Sequence, residues 1–166
     1  VAAYGGSFRE GILGEPRLVN PLLSQNNDAD RDLVSLIYSG LMKYNEQGKL
    51  APDLAKSYDV SSDGLTYTVY LKDNATWHDG ERVTADDIIF TVTKAQDPSI
   101  KSPKRANWEG VQAVKINAQE VRFILKQPYA AFLDNATLGI LPKHLWDKVT
   151  NDVFASASDL NASGMG

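Results

Sequence analysis

LAPDLAKSYDVSSDGLTYTVYLKDNATWHDG, residues 50–80, reads as strand, tight turn, strand, then an aromatic residue and a second Asp-Gly turn. Tyr58 and Val60 alternate with Ser57 and Asp59. Ser62-Asp63-Gly64 supplies the first turn, because glycine tolerates positive φ. In the following strand Leu65, Tyr67, Val69 and Leu71 point one way, and Thr66, Thr68, Tyr70 and Lys72 the other. The pattern predicts a half-buried antiparallel hairpin with a Thr-rich, partly wet second face.

Working outward, a strand is expected at residues 5–12, broken by Gly14-Glu15-Pro16. Pro21 biases Asn20 away from helix and makes residues 18–23 extended and turn-like. Asn26-Asn27-Asp28 is a turn and N-cap cluster opening a helix at about residues 28–39. Leu33, Leu36, Ile37 and Gly40 keep helical spacing there, with Gly40 as the C-cap. Residues 45–48 (NEQG) form a surface turn. RVTADDIIFTVTKAQDP, residues 82–98, is the clearest helix. Thr84 is its N-cap, Asp87 completes an acidic capping box, and Val83 and Ile88 form a hydrophobic staple. Asp86 and Asp87 suit the positive end of the helix dipole, and Asp97-Pro98 ends the helix. A second hairpin is expected from residues 111–116 and 120–125, with Val114 and Ile116 opposing Val121, Phe123 and Leu125. Short helices follow at residues 128–133 and from Pro142 through Leu145 and Trp146. Helices interspersed with antiparallel hairpins define a mixed α/β domain of α+β character. The tail after Phe154, ASASDLNASGMG, is small, polar and without periodicity, and is expected to be loose.

The 166 residues are 43% hydrophobic and 23% charged, which suits one folded domain with a real core. Net charge is −4, which argues against a nucleic-acid footprint. The densest basic patch, Lys101, Lys104 and Arg105 beside Pro103, reads as a solvated loop. There is no cysteine, so disulfides, thiol catalysis and Cys-ligated zinc are excluded. The longest apolar runs, residues 87–92 and 135–142, are far too short to span a bilayer. The stretch from Val1 does not read as a signal peptide, having no positively charged start followed by an apolar core, and a secreted protein is expected to have lost that segment.

Candidate chemistry is sparse. The two histidines are His78 and His144. His78 adjoins Asp79, but neighbouring side chains on an extended chain diverge, which disfavours an acid–base pair. His144 opens a helix, where a structural or exposed role outweighs catalysis. No His-x-x-x-His or Cys cluster offers a metal site. Capping accounts for Asp86-Asp87. No Gly-x-Ser-x-Gly elbow occurs, nor any Gly-x-Gly-x-x-Gly phosphate loop. Trp77, Trp108 and Tyr67 read as core aromatics before ligand platforms. No catalytic residue, cofactor or metal is expected.

The segment from Ala55 to Lys72, with Asp63, Thr66-Tyr67, Val69 and Leu71 in place, closely resembles the signature of the family 5 extracellular solute-binding proteins. These are the oligopeptide, dipeptide and nickel-type receptors of ABC importers. Leu18-x-Asn20-Pro21, Tyr38-Ser39-Gly40-Leu41, the Leu50–Ala55 hexapeptide, Ala75-Thr76-Trp77-His78-Asp79-Gly80 and Val83-Thr84-Ala85-Asp86-Asp87 stand in family order. Glu120-Val121-Arg122-Phe123 and Leu141-Pro142-Lys143-His144-Leu145 follow.

The resemblance implies a portion of the N-terminal lobe of a type II-like periplasmic binding protein that closes on its ligand by hinge motion. Residues 1–163 would be that lobe segment, with about 42–150 as the signature-bearing subdomain and 164–166 an abrupt end. Family members are much longer, so the remaining lobe would carry most of the ligand-anchoring groups. The loop before the first helix lines the cleft in the family; here it is Asn26, Asn27 and Asp28, which read equally as a capping turn. Lys104 lies nearest a second ligand-facing position, where an aromatic is common. The implied function is capture of peptides and delivery to transmembrane permease subunits, by a monomer in the periplasmic or extracellular space, with a lipid anchor in view. A nickel chelate or an oligosaccharide is the alternative cargo, and a non-catalytic interaction module the alternative role. A hydrolase built on His78 and carboxylates is the weakest reading.

Overall fold

The computed structural model describes residues 9, 11, 13–24 and 27–157. Most of the strand expected at residues 5–12, Asn26, and the tail from residue 158 onward lie outside them. The described elements run α1 (Asp28–Ile37), β1 (Met42–Tyr44), β2 (Leu50–Pro52), β3 (Ala55–Val60), β4 (Thr66–Leu71), α2 (Ala85–Gln96), α3 (Arg105–Trp108), β5 (Gln112–Asn117), β6 (Glu120–Ile124), α4 (Phe132–Asn135) and α5 (Lys143–Trp146). A 3₁₀ helix covers Asn151–Ser156. β1 and β2 form a small antiparallel ribbon, and the larger antiparallel sheet has the order β3-β4-β6-β5.

The decisive stretch folds as its alternation demands. Tyr67, Val69 and Leu71 are buried on one face of β4, while Thr66, Thr68 and Tyr70 are half-buried on the other. Gly64 takes φ +69° in the turn. Asp63 accepts hydrogen bonds from the Ser61 hydroxyl and the Leu65 N–H, which hold its carboxyl below the usual carboxylate range. β3 departs from the half-buried expectation. It is an edge strand, and from Lys56 to Val60 every residue is exposed. Tyr58 and Val60 stand beside Val69 and Tyr67, yet both remain exposed at the sheet edge.

The second hairpin corrects a register. Val114 lies opposite Arg122, while Ala113 and Lys115 lie opposite Phe123 and Val121. Lys115 therefore faces α2, where its ammonium reaches Asp86 at 2.6 Å. Ile116 turns outward and stays 42% exposed. A one-residue shift in phase exchanges the faces of a strand, and apolar content alone did not set the phase.

α2 carries both of its expected N-terminal devices. The Thr84 N–H donates to Asp87 Oδ2 at 2.8 Å, and Val83 and Ile88 are fully buried at the staple positions. Asp87 is itself buried, and its Oδ1 accepts the Lys143 N–H at 2.8 Å. One carboxylate thus caps α2 and receives the start of α5.

α1 ends at Ile37, with Tyr38 already extended. Gly40 is therefore not its C-cap. A Cβ on Gly40 would lie 2.7 Å from the Thr137 carbonyl oxygen, so glycine serves close backbone approach there. Leu36, expected on the core stripe, is 78% exposed. The buried residues of α1 are Ala29 and Asp30 in its first turn, where Asp30 accepts the Arg17 N–H at 2.6 Å. The two short C-terminal helices begin later than expected, at Phe132 and Lys143.

Asp87→Ala is expected to lower the unfolding free energy by about 3 kcal/mol, combining a lost cap with an orphaned N–H at Lys143. Asp86→Ala breaks only a half-exposed ion pair and should change it by less than about 1 kcal/mol. Urea denaturation compares the two, and equal losses would contradict the buried, two-sided role of Asp87.

Candidate functional site

A groove of about 260 Å³ runs between the face of α1, the segment through α3, and residues 134–139. Arg31, Val34, Ser35 and Tyr38 form one side, Lys104, Asn107 and Trp108 the second, and Asp134 to Gly139 the third. Pro21 and Ser24 complete the lining.

Local sequence explains how these segments meet. Asn20 is fully buried; its Oδ1 accepts the Leu22 N–H, and its carbonyl accepts the Leu23 and Ser24 N–H groups. That turn delivers the Leu22 carbonyl to Ser102, whose buried hydroxyl donates to it at 2.7 Å. The Ser102 Oγ also accepts the Lys104 N–H at 3.2 Å. Ser102 thus latches the loop after α2 to the segment before α1, and this brings Lys104 beside α1. On the third side Gly139 packs against Tyr38 and Pro21 so closely that an added Cβ would lie 2.9 Å from the Tyr38 Cβ. Asn135 Nδ2 donates to the Asn107 carbonyl at 2.9 Å and joins the second side to the third.

The residues expected from the sequence fall as follows. Asn27 is the N-cap of α1: its Oδ1 accepts the Ala29 N–H at 3.0 Å, and its Nδ2 donates to the Glu15 carbonyl. Asp28 is exposed and pairs with Arg31. Asn26 lies outside the described residues. Asn27 and Asp28 sit at the head of α1, one turn before the groove, whereas Lys104 lies in its lining. The other two members of the basic patch separate from it: Arg105 Nε donates to the Gln96 carbonyl, and Lys101 is exposed at φ +55°.

Sequence reading passed over Ser102, Arg31 and Tyr38. Ser102 carried no signal, since its partner is 80 residues away. Arg31 and Tyr38 lie seven residues apart, two turns of helix, which was a usable sign of a shared face. The Tyr38 hydroxyl is buried without a hydrogen-bond partner among the described residues, and burial pushes its pKa up to about 12. Tyr38 therefore keeps its proton across the physiological range.

Elsewhere, His78 and Asp79 do not pair. Asp79 Oδ2 instead lies 2.7 Å from His144 Nε2, 65 residues away. This contact, helped by the Glu81 N–H, holds the Asp79 carboxyl below its ordinary range. It clamps the turn after Trp77 onto α5. Among the described residues no group of three or more His, Cys, Asp or Glu side chains is placed to hold a metal ion. No helix among them is long and apolar enough to cross a membrane.

The chain belongs to the bacterial extracellular solute-binding proteins, family 5, whose model (family 5 Middle) matches residues 49–166. It is 36% identical over 148 residues to the oligopeptide-binding protein AppA of Bacillus subtilis (strain 168), covering 87% of this chain and 27% of that protein. The fold is similar to that of NikZ from Campylobacter jejuni in complex with Ni(L-His), with TM-score 0.82 and 36% identity over 92% of this chain and 30% of that one. It is also similar to AppA from B. subtilis in complex with a nonapeptide, with TM-score 0.81 and 32% identity over 89% of this chain and 30% of that one. The architecture is thus that of part of a type II-like periplasmic binding protein, and the chain spans between a quarter and a third of the length of these relatives.

Two outcomes test this geometry. Tyr38→Phe removes a buried hydroxyl that has no described partner, so the unliganded protein should be unchanged or stabilised by up to about 1 kcal/mol in urea denaturation; a loss would reveal a partner. The depressed Asp79 carboxyl contributes stability that is present above its ordinary value near 3.8 and is lost as pH falls through its lowered one. Asp79→Asn should flatten that part of the acid limb in a pH series of thermal melts, and an unaltered limb would deny the clamp its role.

Proposed function

We propose that these 166 residues form the leading segment of an ABC-importer receptor that captures peptides outside the membrane and hands them to the permease. Family membership and the likeness to a receptor seen with a nonapeptide support this reading. The observation that carries it is the groove itself. Two stretches that the resemblance put at a ligand, the approach to α1 and the loop bearing Lys104, are latched side by side through Ser102.

The mechanism is capture without chemistry. Backbone and side-chain groups of the groove would meet an extended peptide, water would fill the spaces left by tolerant side-chain contacts, and hinge closure would present the loaded form to the permease. Residues 1–163 would be the lobe segment, with about 42–150 as its subdomain. Asn26, Asn27 and Asp28 would shape the approach to the ligand, and Lys104 would touch it. The receptor would work as a monomer in the periplasmic or extracellular space, held near the membrane by a lipid anchor. A second cargo, a metal chelate, is favoured by the likeness to NikZ with Ni(L-His). In that case the groove would hold the organic part of the chelate, because metal-ligating groups do not converge among the described residues.

Calorimetric titration of the 166-residue chain with a mixed oligopeptide library should give no measurable heat of binding, since one wall cannot enclose a ligand. The whole receptor containing it should bind members of the same library. Clear micromolar binding by the 166 residues alone would overturn the view that they supply only part of a cleft.

A further inference from the structure

We propose that the groove selects a carboxylate on the solute, and that Lys104 is the residue that reads it. This rests on the solute-binding reading above and adds the chemical class of group the groove takes. The groove lining contains two cations, Arg31 and Lys104, and one carboxylate, Asp134. Arg31 is engaged by Asp28 at the protein surface, and Asp134 accepts the Tyr44 hydroxyl at 2.5 Å. Lys104 is half-buried, and among the described residues no carboxylate lies within ion-pairing distance of its ammonium. Its neighbour Arg105 is tied to the Gln96 carbonyl. Its own backbone is fixed through Ser102, so the base of the side chain is positioned while the charge remains available.

A second observation points the same way. Tyr38, in the same lining, keeps a buried hydroxyl with no described partner. A protonated phenol offers a donor that only an acceptor can satisfy, and a carboxylate is the strongest acceptor among ordinary peptide groups. A half-buried lysine and an unspent hydroxyl in one lining are therefore matched to an anionic oxygen and poorly matched to a cationic or apolar side chain.

The carboxylate has two sources in a peptide, an acidic side chain or the C-terminus. The test uses the whole receptor containing these residues and a set of oligopeptides of one length: a Gln/Glu pair substituted at each position in turn, each made with a free and an amidated C-terminus. Calorimetry at low and at physiological salt should show at least a tenfold preference for one charged member over its neutral counterpart. A Glu-over-Gln preference assigns the side chain, and a free-acid-over-amide preference the C-terminus. In Lys104→Met that ratio should fall towards one, and in Lys104→Glu it should invert. Thermal melts of both variants, in which a half-buried charge is changed, confirm that they fold. Binding of the set with no charge preference, or a preference that persists in Lys104→Met, overturns the carboxylate assignment and leaves the receptor reading standing. Failure of every peptide to bind overturns both.

Discussion

The position of one ring, Phe132, governs how the rest of the molecule is assembled. It is fully buried, with centroids 4.7 Å from Tyr67, 5.5 Å from Phe123 and 5.8 Å from Trp108. Those three residues come from β4, β6 and α3, so a single side chain from α4 joins the sheet to both segments that face α1. Tilted and edge-on aromatic contacts of this kind add about 0.5–1.5 kcal/mol each to the burial of the rings. Their larger consequence here is geometric. Trp108 lines the groove, and residues 134–139 leave directly from α4. The packing distance of the ring cluster therefore sets the spacing of two of the groove's three sides.

Polar clamps then fix what the rings bring near. α2 acts as a beam with hydrogen-bonding groups along its length. At its start Asp87 receives the Lys143 N–H. One turn on, the buried Thr91 hydroxyl donates to the Asp87 carbonyl and accepts the Leu141 N–H at 2.9 Å. At its end Gln96 Nε2 donates to the carbonyls of Trp108 and Val111 at 2.7 and 2.6 Å. Outside α2, the partners are backbone groups at the ends of short helices or in connecting segments, away from any sheet ladder. Leaving such a group unpaired in the interior costs about 1–3 kcal/mol, so these side chains decide where the loops can lie. Ser102 performs the same service for the Leu22 carbonyl and, through it, for Lys104.

Much of this was legible in the sequence, and the division has a physical basis. β4 announced itself because one face is buried and the other is not, and α2 because its capping box and staple are local patterns. The mixed α/β class followed from those elements. The phase of β5 was not legible, since Val114 and Ile116 look like core residues until Lys115 is seen to need Asp86. The C-cap at Gly40 was misread because a glycine required by close approach and one required by positive φ look the same in a sequence. Lys104 was picked out by position within a resembling family, whereas Ser102 and the His144–Asp79 contact depend on partners 80 and 65 residues away. Side chains that join distant segments have no periodicity, so neither spacing nor propensity reveals them.

The charge of the chain also constrains how a carboxylate could be preferred. A net charge of −4 opposes the approach of an anion, and at physiological salt a surface ammonium is felt only within about 8 Å. Lys104 therefore contributes little to long-range steering. While the groove is open to water, its attraction for a carboxylate is worth about 1 kcal/mol at 4 Å, and it rises severalfold as closure lowers the effective dielectric constant. Under the proposed reading, discrimination of this kind would develop after encounter, when an opposing wall expels water, and would be expressed chiefly in how slowly the matched solute leaves. A wall whose loops are already held by Ser102 and Asn135 would suit that order of events, since little rearrangement within it would be needed if a cleft shut over it.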